Sequence, residues 1–138
     1  MNAFFTAILT KLAGTTLETL VGGRVYLDQS PEGTQVFPYI VFFIVHSNQQ
    51  DTFKNQLDNT LVQFSIFSAS TGMTEITAIY DALKAVFDDA ALSISGSTVV
   101  WMIRQNLMTM TEVVTVGSGE SVVKHWAVDF RYWCRNEP

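Results

Sequence analysis

The longest apolar run in the chain is seven residues long and follows a proline. It covers residues 39–45, after Pro38, and gives way to the polar stretch Ser47–Gln50. A run this short, rich in β-branched and aromatic residues, predicts a strand. Its two faces are Tyr39, Val41, Phe43, Val45 and Ile40, Phe42, Ile44, His46. Because both are almost wholly apolar, we expect helices to cover one face and, as one interpretation, a neighbouring subunit to cover the other.

Two helices are predicted before this central strand. Residues 2–13 carry apolar side chains on one helical face, and Gly14 stands where a C-terminal cap belongs. Thr15 with Glu18 three residues later forms a capping box that opens a short second helix. The glycine pair at 22–23 ends that helix, with positive φ expected at one of the two.

A second strand and a long helix follow the central strand. Ser47–Asn59 is a polar connection, and the alternating residues 60–67 predict the returning strand of a hairpin. From Met73 to Phe87 the apolar period becomes helical. The acidic pair at 88–89 opposes the helix dipole, so the helix is expected to stop there.

Two further strands close the chain as a second hairpin. One is centred on residues 99–103, and the Thr-rich connection Leu107–Ser121 joins it to the last strand. The last strand alternates, and its expected core side is Val122, Lys124, Trp126, Val128, Phe130, Tyr132 and Cys134. The order α-α-β-β-α-β-β predicts one α+β domain over residues 1–138. It should form a two-layer sandwich, a four-stranded mainly antiparallel sheet with helices on one face.

Composition and charge narrow the function classes. Hydrophobic residues make up 48% of the chain and charged residues 15%, which is typical of a globular domain. The net charge is −5 with no basic run, which disfavours specific nucleic-acid binding. The start of the chain lacks a cationic signal, no run nears the roughly 20 residues of a membrane span, and the one cysteine has no disulfide partner. We expect a soluble intracellular chain that does not contact membranes.

No chemistry-bearing motif stands out. His46, His125 and Cys134 are the only histidines and the only thiol, which is barely enough for a zinc site. A Cys–His nucleophile needs a third, orienting group, and Cys134 and His125 fall on opposite sides of their strand. We predict no catalytic, metal or cofactor-binding residues, and no cofactor.

The second face of the last strand mixes aromatic, Arg and Asp side chains. Aromatic and Arg residues together are enriched in interface cores. With the outer face of the central strand they give a candidate subunit interface: Tyr39, Phe43, Asp129, Arg131, Trp133 and Arg135. That Trp133 simply packs beside a loop is an equal alternative.

Residues 20–26 read Leu-Val-Gly-Gly-Arg-Val-Tyr, residues 31–33 read Pro-Glu-Gly, and residues 38–42 read Pro-Tyr-Ile-Val-Phe. This series resembles the signature of small phage tail completion proteins, the tail terminator or tail-to-head joining proteins of long-tailed phages. The resemblance covers residues 16–46, and the remaining elements agree in order. It implies a non-enzymatic virion protein that forms a ring, of six copies, at the head-proximal end of the tail tube.

The resemblance also implies partners and a location. These are further copies of the chain, the tail tube protein and a head-completion or connector protein, in the virion and, during assembly, in the host cytoplasm. DNA passes through such a ring without specific binding. From the residues alone, a small α+β ligand-binding or regulatory module stays open as the alternative, and an enzyme ranks third.

The two polar connections are candidate docking loops in this setting. We expect them to be mobile in the isolated subunit and to order on docking. The residues concerned are Gln49, Asp51, Lys54, Asp58, Glu112 and Glu120. Their charges are mainly negative, which would keep passing DNA from adhering to a channel wall.

Overall fold

The computed structural model describes residues 2–28, 36–51, 56–88, 93–94, 97–116 and 119–136, and these form three helices and six strands. The helices are α1 (Asn2–Leu12), α2 (Thr16–Leu20) and α3 (Thr74–Phe87). The strands are β1 (Val25–Leu27), β2 (Tyr39–Asp51), β3 (Gln56–Ser68), β4 (Ser93–Ile94), β5 (Ser97–Val116) and β6 (Gly119–Asn136). The predicted order of helices and long strands is confirmed, with two short strands added.

The strands form one sheet in the order β1-β2-β3-β6-β5-β4. All neighbours are antiparallel except β1 and β2, which pair in parallel with Val25 opposite Ile40. The mainly antiparallel sheet is confirmed, but its predicted size of four strands is too small. The two extra strands lie at the edges and have only three and two residues, too few for a periodic pattern to mark them.

Both hairpins are longer than their apolar runs indicated. The strand β2 continues to Asp51 and stays paired to Gln56 of β3, so the predicted polar connection Ser47–Asn59 is mostly paired strand. The Thr-rich connection is likewise mostly strand, since β5 and β6 remain paired out to Val116 and Gly119. Backbone hydrogen bonds extend a ladder whatever the polarity of the side chains, whereas an apolar pattern marks burial.

The predicted docking loops are therefore mostly paired strand. Gln49, Asp51 and Asp58 lie in the β2–β3 ladder, and Glu112 and Glu120 lie in the β5–β6 ladder. Lys54 lies outside the described residues.

The helices pack on one face of the sheet and bury one continuous core. At its centre the ring of Phe64 lies 5.8 Å from that of Phe42, 4.9 Å from that of Phe87 and 5.6 Å from that of Phe130, centroid to centroid. The first helix contributes apolar side chains that include Ile8, which is fully buried. The predicted placement of the helices on one face is confirmed.

Local sequence signals set the helix ends. The hydroxyl of Thr15 accepts a hydrogen bond from the backbone N–H of Glu18 at 3.3 Å, as the capping box predicts. Gly14, after α1, has φ +76°, which is the left-handed conformation of a C-terminal cap. The third helix ends at Phe87 with an extended Asp88 as its C-cap, so the predicted stop is confirmed.

Two local features depart from the expected pattern of faces and burial. The register passes from Ile44 opposite Val62 to His46 opposite Leu61, so a β-bulge at Val45 turns His46 to the other face. At the start of β6, Val122 is exposed and Val123 is fully buried, the reverse of the expectation. From Trp126 to Tyr132 the expected core side is correct, and the Cys134 side chain lies outside the described residues.

One prediction uses two valines that lie in paired strands. Val62→Ala should lower the free energy of unfolding by about 2 kcal/mol, because it deletes two fully buried carbons and leaves a cavity. The matched control is Val113→Ala, since Val113 is 65% exposed, and it should change stability by less than about 0.5 kcal/mol. Urea unfolding in dilute solution measures both. Equal losses would contradict the core described above.

Candidate interaction surface

The face of the sheet opposite the helices, here called the open face, carries the predicted interface residues. Cross-strand register aligns its side chains across β2, β3 and β6. The aligned rows are Tyr39–Phe67–His125, Val41–Ser65–Ala127 and Phe43–Gln63–Asp129, followed by Leu61–Arg131 and Asn59–Trp133. None of the three described helices packs on this face, because their core residues all meet the alternate side chains of the same strands.

A ladder of stacked rings crosses the open face. The Tyr39 ring stacks on that of Phe67 at 4.8 Å between centroids, and Phe67 stacks on His125 at 4.2 Å. Phe37 lies 5.3 Å from Tyr39 and lengthens the row. Tyr39 and Val41 are buried even though no helix covers them, because their neighbours in the sheet crowd them. The ladder makes this part of the face rigid and apolar.

Two charged side chains on the open face are held by neutral amides. Gln63 Nε2 donates to Asp129 Oδ1 at 2.9 Å, and Arg131 Nη1 donates to Asn59 Oδ1 at 2.7 Å. In the described part of the chain neither charge forms a salt bridge. Both side chains are thus positioned by hydrogen bonds while their charge is not neutralised, as suits a surface that meets charges of another molecule.

His125 joins the open face to the β5–β6 hairpin. Its Nδ1 lies 3.0 Å from Glu112 Oε1, and its Nε2 is buried without a hydrogen-bond partner among the described residues. Glu112, predicted to lie in a docking loop, is instead fixed beside the sheet by this contact. The sequence could not show the contact because the pair is diagonal across two strands whose register was unknown.

A concave pocket of about 360 Å³ lies on the open face. Its lining residues are Asp28, Tyr39, Val41, Phe43, Gln63, Ser65, Phe67 and His125. Apolar and polar side chains share the wall, and Asp28 supplies an exposed carboxylate just after β1. The backbone N–H of Asp28 donates to the carbonyl of Phe42 at 2.9 Å, which fixes its position. Sequence reasoning missed Asp28 because only the parallel pairing of β1 brings it here.

The Gly-Gly-Arg turn leads into β1, the short strand that is followed by Asp28. Gly22 and Gly23 have φ of +60° and +75°, so positive φ holds at both positions. Arg24 Nε donates to the carbonyl of Pro38 at 2.9 Å, and its Nη2 donates to that of Phe37 at 3.4 Å. The motif therefore ties the start of β1 to the start of β2, where Tyr39 lines the pocket.

A second polar cluster fixes the root of the β5–β6 hairpin on the helix side. Arg104 Nη1 donates to Tyr80 Oη at 2.6 Å, and its Nε donates to Asp88 Oδ1 at 3.2 Å. The hydrogen bond to Tyr80 raises the pKa of Arg104, and the charge of Asp88 adds to this while desolvation opposes it. The guanidinium stays charged and links β5 to the end of α3, beside a register shift between Arg104 and Asn106.

The structure brings the predicted interface residues together on one face. Tyr39, Phe43, Asp129, Arg131 and Trp133 occupy the open face in register. Arg135 pairs with Leu57 on the same side, and its side chain lies outside the described residues. Their role in subunit contact stays a prediction.

The candidate metal ligands are dispersed within the described ranges. His46 is exposed next to the bulge, His125 contacts Glu112, and no three His, Cys, Asp or Glu side chains of these ranges come together. No described helix has both the length and the apolar character to cross a membrane.

The adjacent glycines allow a controlled test of the Arg24 contacts. A Cβ at Gly22 would lie 2.7 Å from Arg24 Nη1, whereas one at Gly23 would meet nothing within 4 Å. Gly23→Ala should cost about 1 kcal/mol through positive φ alone. Gly22→Ala should cost about 1 to 3 kcal/mol more, because it also displaces Arg24 from the carbonyls of Phe37 and Pro38. Thermal or urea unfolding measures the difference, and equal costs would show that the Arg24 contacts with Phe37 and Pro38 do not add to stability.

Comparison with known proteins assigns the chain to a family. A family model described as tail completion protein gp17 matches residues 6–135. No curated protein matches the chain significantly. A chain from the virion of a native gene transfer agent particle has the same fold, with a TM-score of 0.71 at 19% identity over 95% of this chain and 93% of that one. A second solved chain, without a functional description, aligns with a TM-score of 0.53 at 9% identity over 95% and 94%.

The family match runs through the Gly-Gly-Arg turn, the central strand, both hairpins and all but the first residues of α1. The chain belongs to the tail completion protein gp17 family and is a structural protein of the phage tail.

Proposed function

We propose that the protein forms a ring, a hexamer, at the head-proximal end of the tail tube and joins the tail to the head without catalysing a reaction. Family membership supports a role in completing tails. The shared fold with a chain of a gene transfer agent virion supports a place in a particle. In this proposal the protein works in the virion and is assembled in the host cytoplasm.

The open face carries the argument for a ring. It combines stacked aromatic rings with an Asp and an Arg whose charges are not neutralised among the described residues. Aromatic and Arg side chains are the residues that dominate binding energy when an interface buries them. A neighbouring copy on this face would cover the second apolar side of β2, as helices cover the first.

The shape of the sheet supports contacts with different proteins along the ring axis. The β2–β3 hairpin closes at one end of the sheet, beside Asn136, whereas the β5–β6 hairpin closes at the other end. The predicted docking residues Gln49, Asp51 and Asp58 belong to the first hairpin, and Glu112 and Glu120 belong to the second. We assign one end to the tail tube protein and the other to the head-completion or connector protein. The acidic side chains would keep passing DNA from adhering.

The β5–β6 hairpin projects past the rest of the sheet. The third strand ends at Ser68, opposite Lys124, while β5 and β6 stay paired from Thr111 and Lys124 out to Val116 and Gly119. This two-stranded segment, called the arm, comprises residues 111–116 and 119–124. Its length is roughly 17 Å at strand rise, enough to reach over an adjacent molecule.

A charge placed on the open face should separate folding from assembly. Phe43→Glu should leave a folded subunit, because Phe43 lies on the face without helices, but it should abolish rings through an unpaired buried carboxylate. Leu9→Glu is the matched control, since Leu9 is an exposed apolar residue on α1. Native mass spectrometry measures rings, and electron microscopy of phage lysates measures joining.

Lysates of the Phe43→Glu variant should show full heads beside free tails, and the Leu9→Glu control should show complete virions. Intact rings and virions from Phe43→Glu would assign the subunit contact to another surface. If the unaltered protein forms rings but its lysates contain no tails joined to heads, the joining role itself is overturned.

A further inference from the structure

The arm carries an apolar patch on the helix side of the sheet, beyond the reach of the helices. Val113 and Val122 are directly opposite each other and are 65% and 60% exposed. Met73, at the start of α3, is 51% exposed. Nearer the body of the sheet, a groove of about 300 Å³ is lined by Met73, Thr109, Met110, Thr111, Lys124 and Trp126. Together, Val113, Val122 and this groove are called the arm patch.

The arm patch contains a cation without a carboxylate partner among the described residues. Lys124 Nζ donates to the backbone carbonyl of Ser70 at 2.7 Å and forms no salt bridge there. The pocket on the open face contains the complementary group, because the Asp28 carboxylate likewise forms no described salt bridge. The molecule thus has two partly apolar surfaces, one with a positive and one with a negative charge.

These two surfaces face opposite sides of the sheet. Val122 and Lys124 share the side of Trp126, which packs in the core, whereas the pocket lies on the open face. A ring needs two different, complementary surfaces on each subunit, one for each neighbour. The arm patch and the pocket meet this requirement in position, apolar character and charge.

We infer that the arm patch of one copy packs on the open-face pocket of the next copy, with Lys124 of the first paired to Asp28 of the second. The inference rests on the proposed ring and names the contact that builds it. Symmetric contacts are disfavoured by the same charges, because pocket on pocket would oppose two Asp28 carboxylates and patch on patch two Lys124 amines. The contact is therefore heterologous, which builds rings when the rotation between copies closes and does not build isologous pairs.

Charge reversal and exchange test the contact. Asp28→Lys and Lys124→Asp should each raise the concentration of half-assembly at least about tenfold, because like charges then meet in an apolar contact. The double variant exchanges the charges and should return that concentration to within about threefold of the unaltered protein. Lys11→Asp, a reversal on the exposed surface of α1, is the control and should have no effect. Native mass spectrometry over a dilution series gives the ring fraction.

Neutral variants keep the test informative if a reversal impairs folding. Asp28→Asn and Lys124→Met should weaken rings in the same direction by a smaller factor, and thermal unfolding checks each subunit. Rings unaffected by both single reversals, or not restored by the exchange, would overturn this contact and leave the ring itself standing. A protein that stays monomeric at every concentration would overturn the ring and this contact together.

Discussion

The packing of α1, α2 and α3 against alternate residues of β2, β3 and β6 organises the molecule. Side chains alternate across a strand, so burying Ile40, Phe42 and Phe64 on one face commits Tyr39, Val41 and Phe43 to the other. The three described helices pack on the first face. A second apolar face remains, with stacked rings and two charges held by amides. We interpret that face as the place where another copy completes the fold.

The same sheet separates the tasks of a ring subunit. In the proposed ring its faces would give lateral contacts, and its two hairpins close at opposite ends, where different proteins would bind. The arm links the two tasks because its root carries an apolar patch with Lys124, while its tip extends past the body. The clusters of Arg24 and Arg104 hold these parts in place. The first ties the start of β1 to the start of β2, and the second anchors the root of the β5–β6 hairpin.

The features that the sequence predicted well depend on local chemistry or on burial. Thr15 and Glu18 mark a helix start, Asp88 marks a helix end, and the apolar period marks the faces of β2 and β6 near the core. The features that it missed depend on register. Polar residues such as Gln49 belong to strands through backbone pairing alone, and the bulge at Val45 moves His46 to the other face. Asp28 reaches the pocket only through the parallel pairing of β1. A strand of three residues is too short for its sequence pattern to predict that pairing.

Radical footprinting of Met108 tests most directly whether the open face is buried between copies. Met108 lies opposite Ala127 on the open face and is 54% exposed, so hydroxyl radicals should oxidise it rapidly in the dilute subunit. In purified rings of the protein alone, only another copy can protect it. We expect the oxidation rate of Met108 to fall severalfold in the ring. An equal rate in ring and subunit would contradict the account, because Met108 would then be as accessible in the ring as in the isolated subunit.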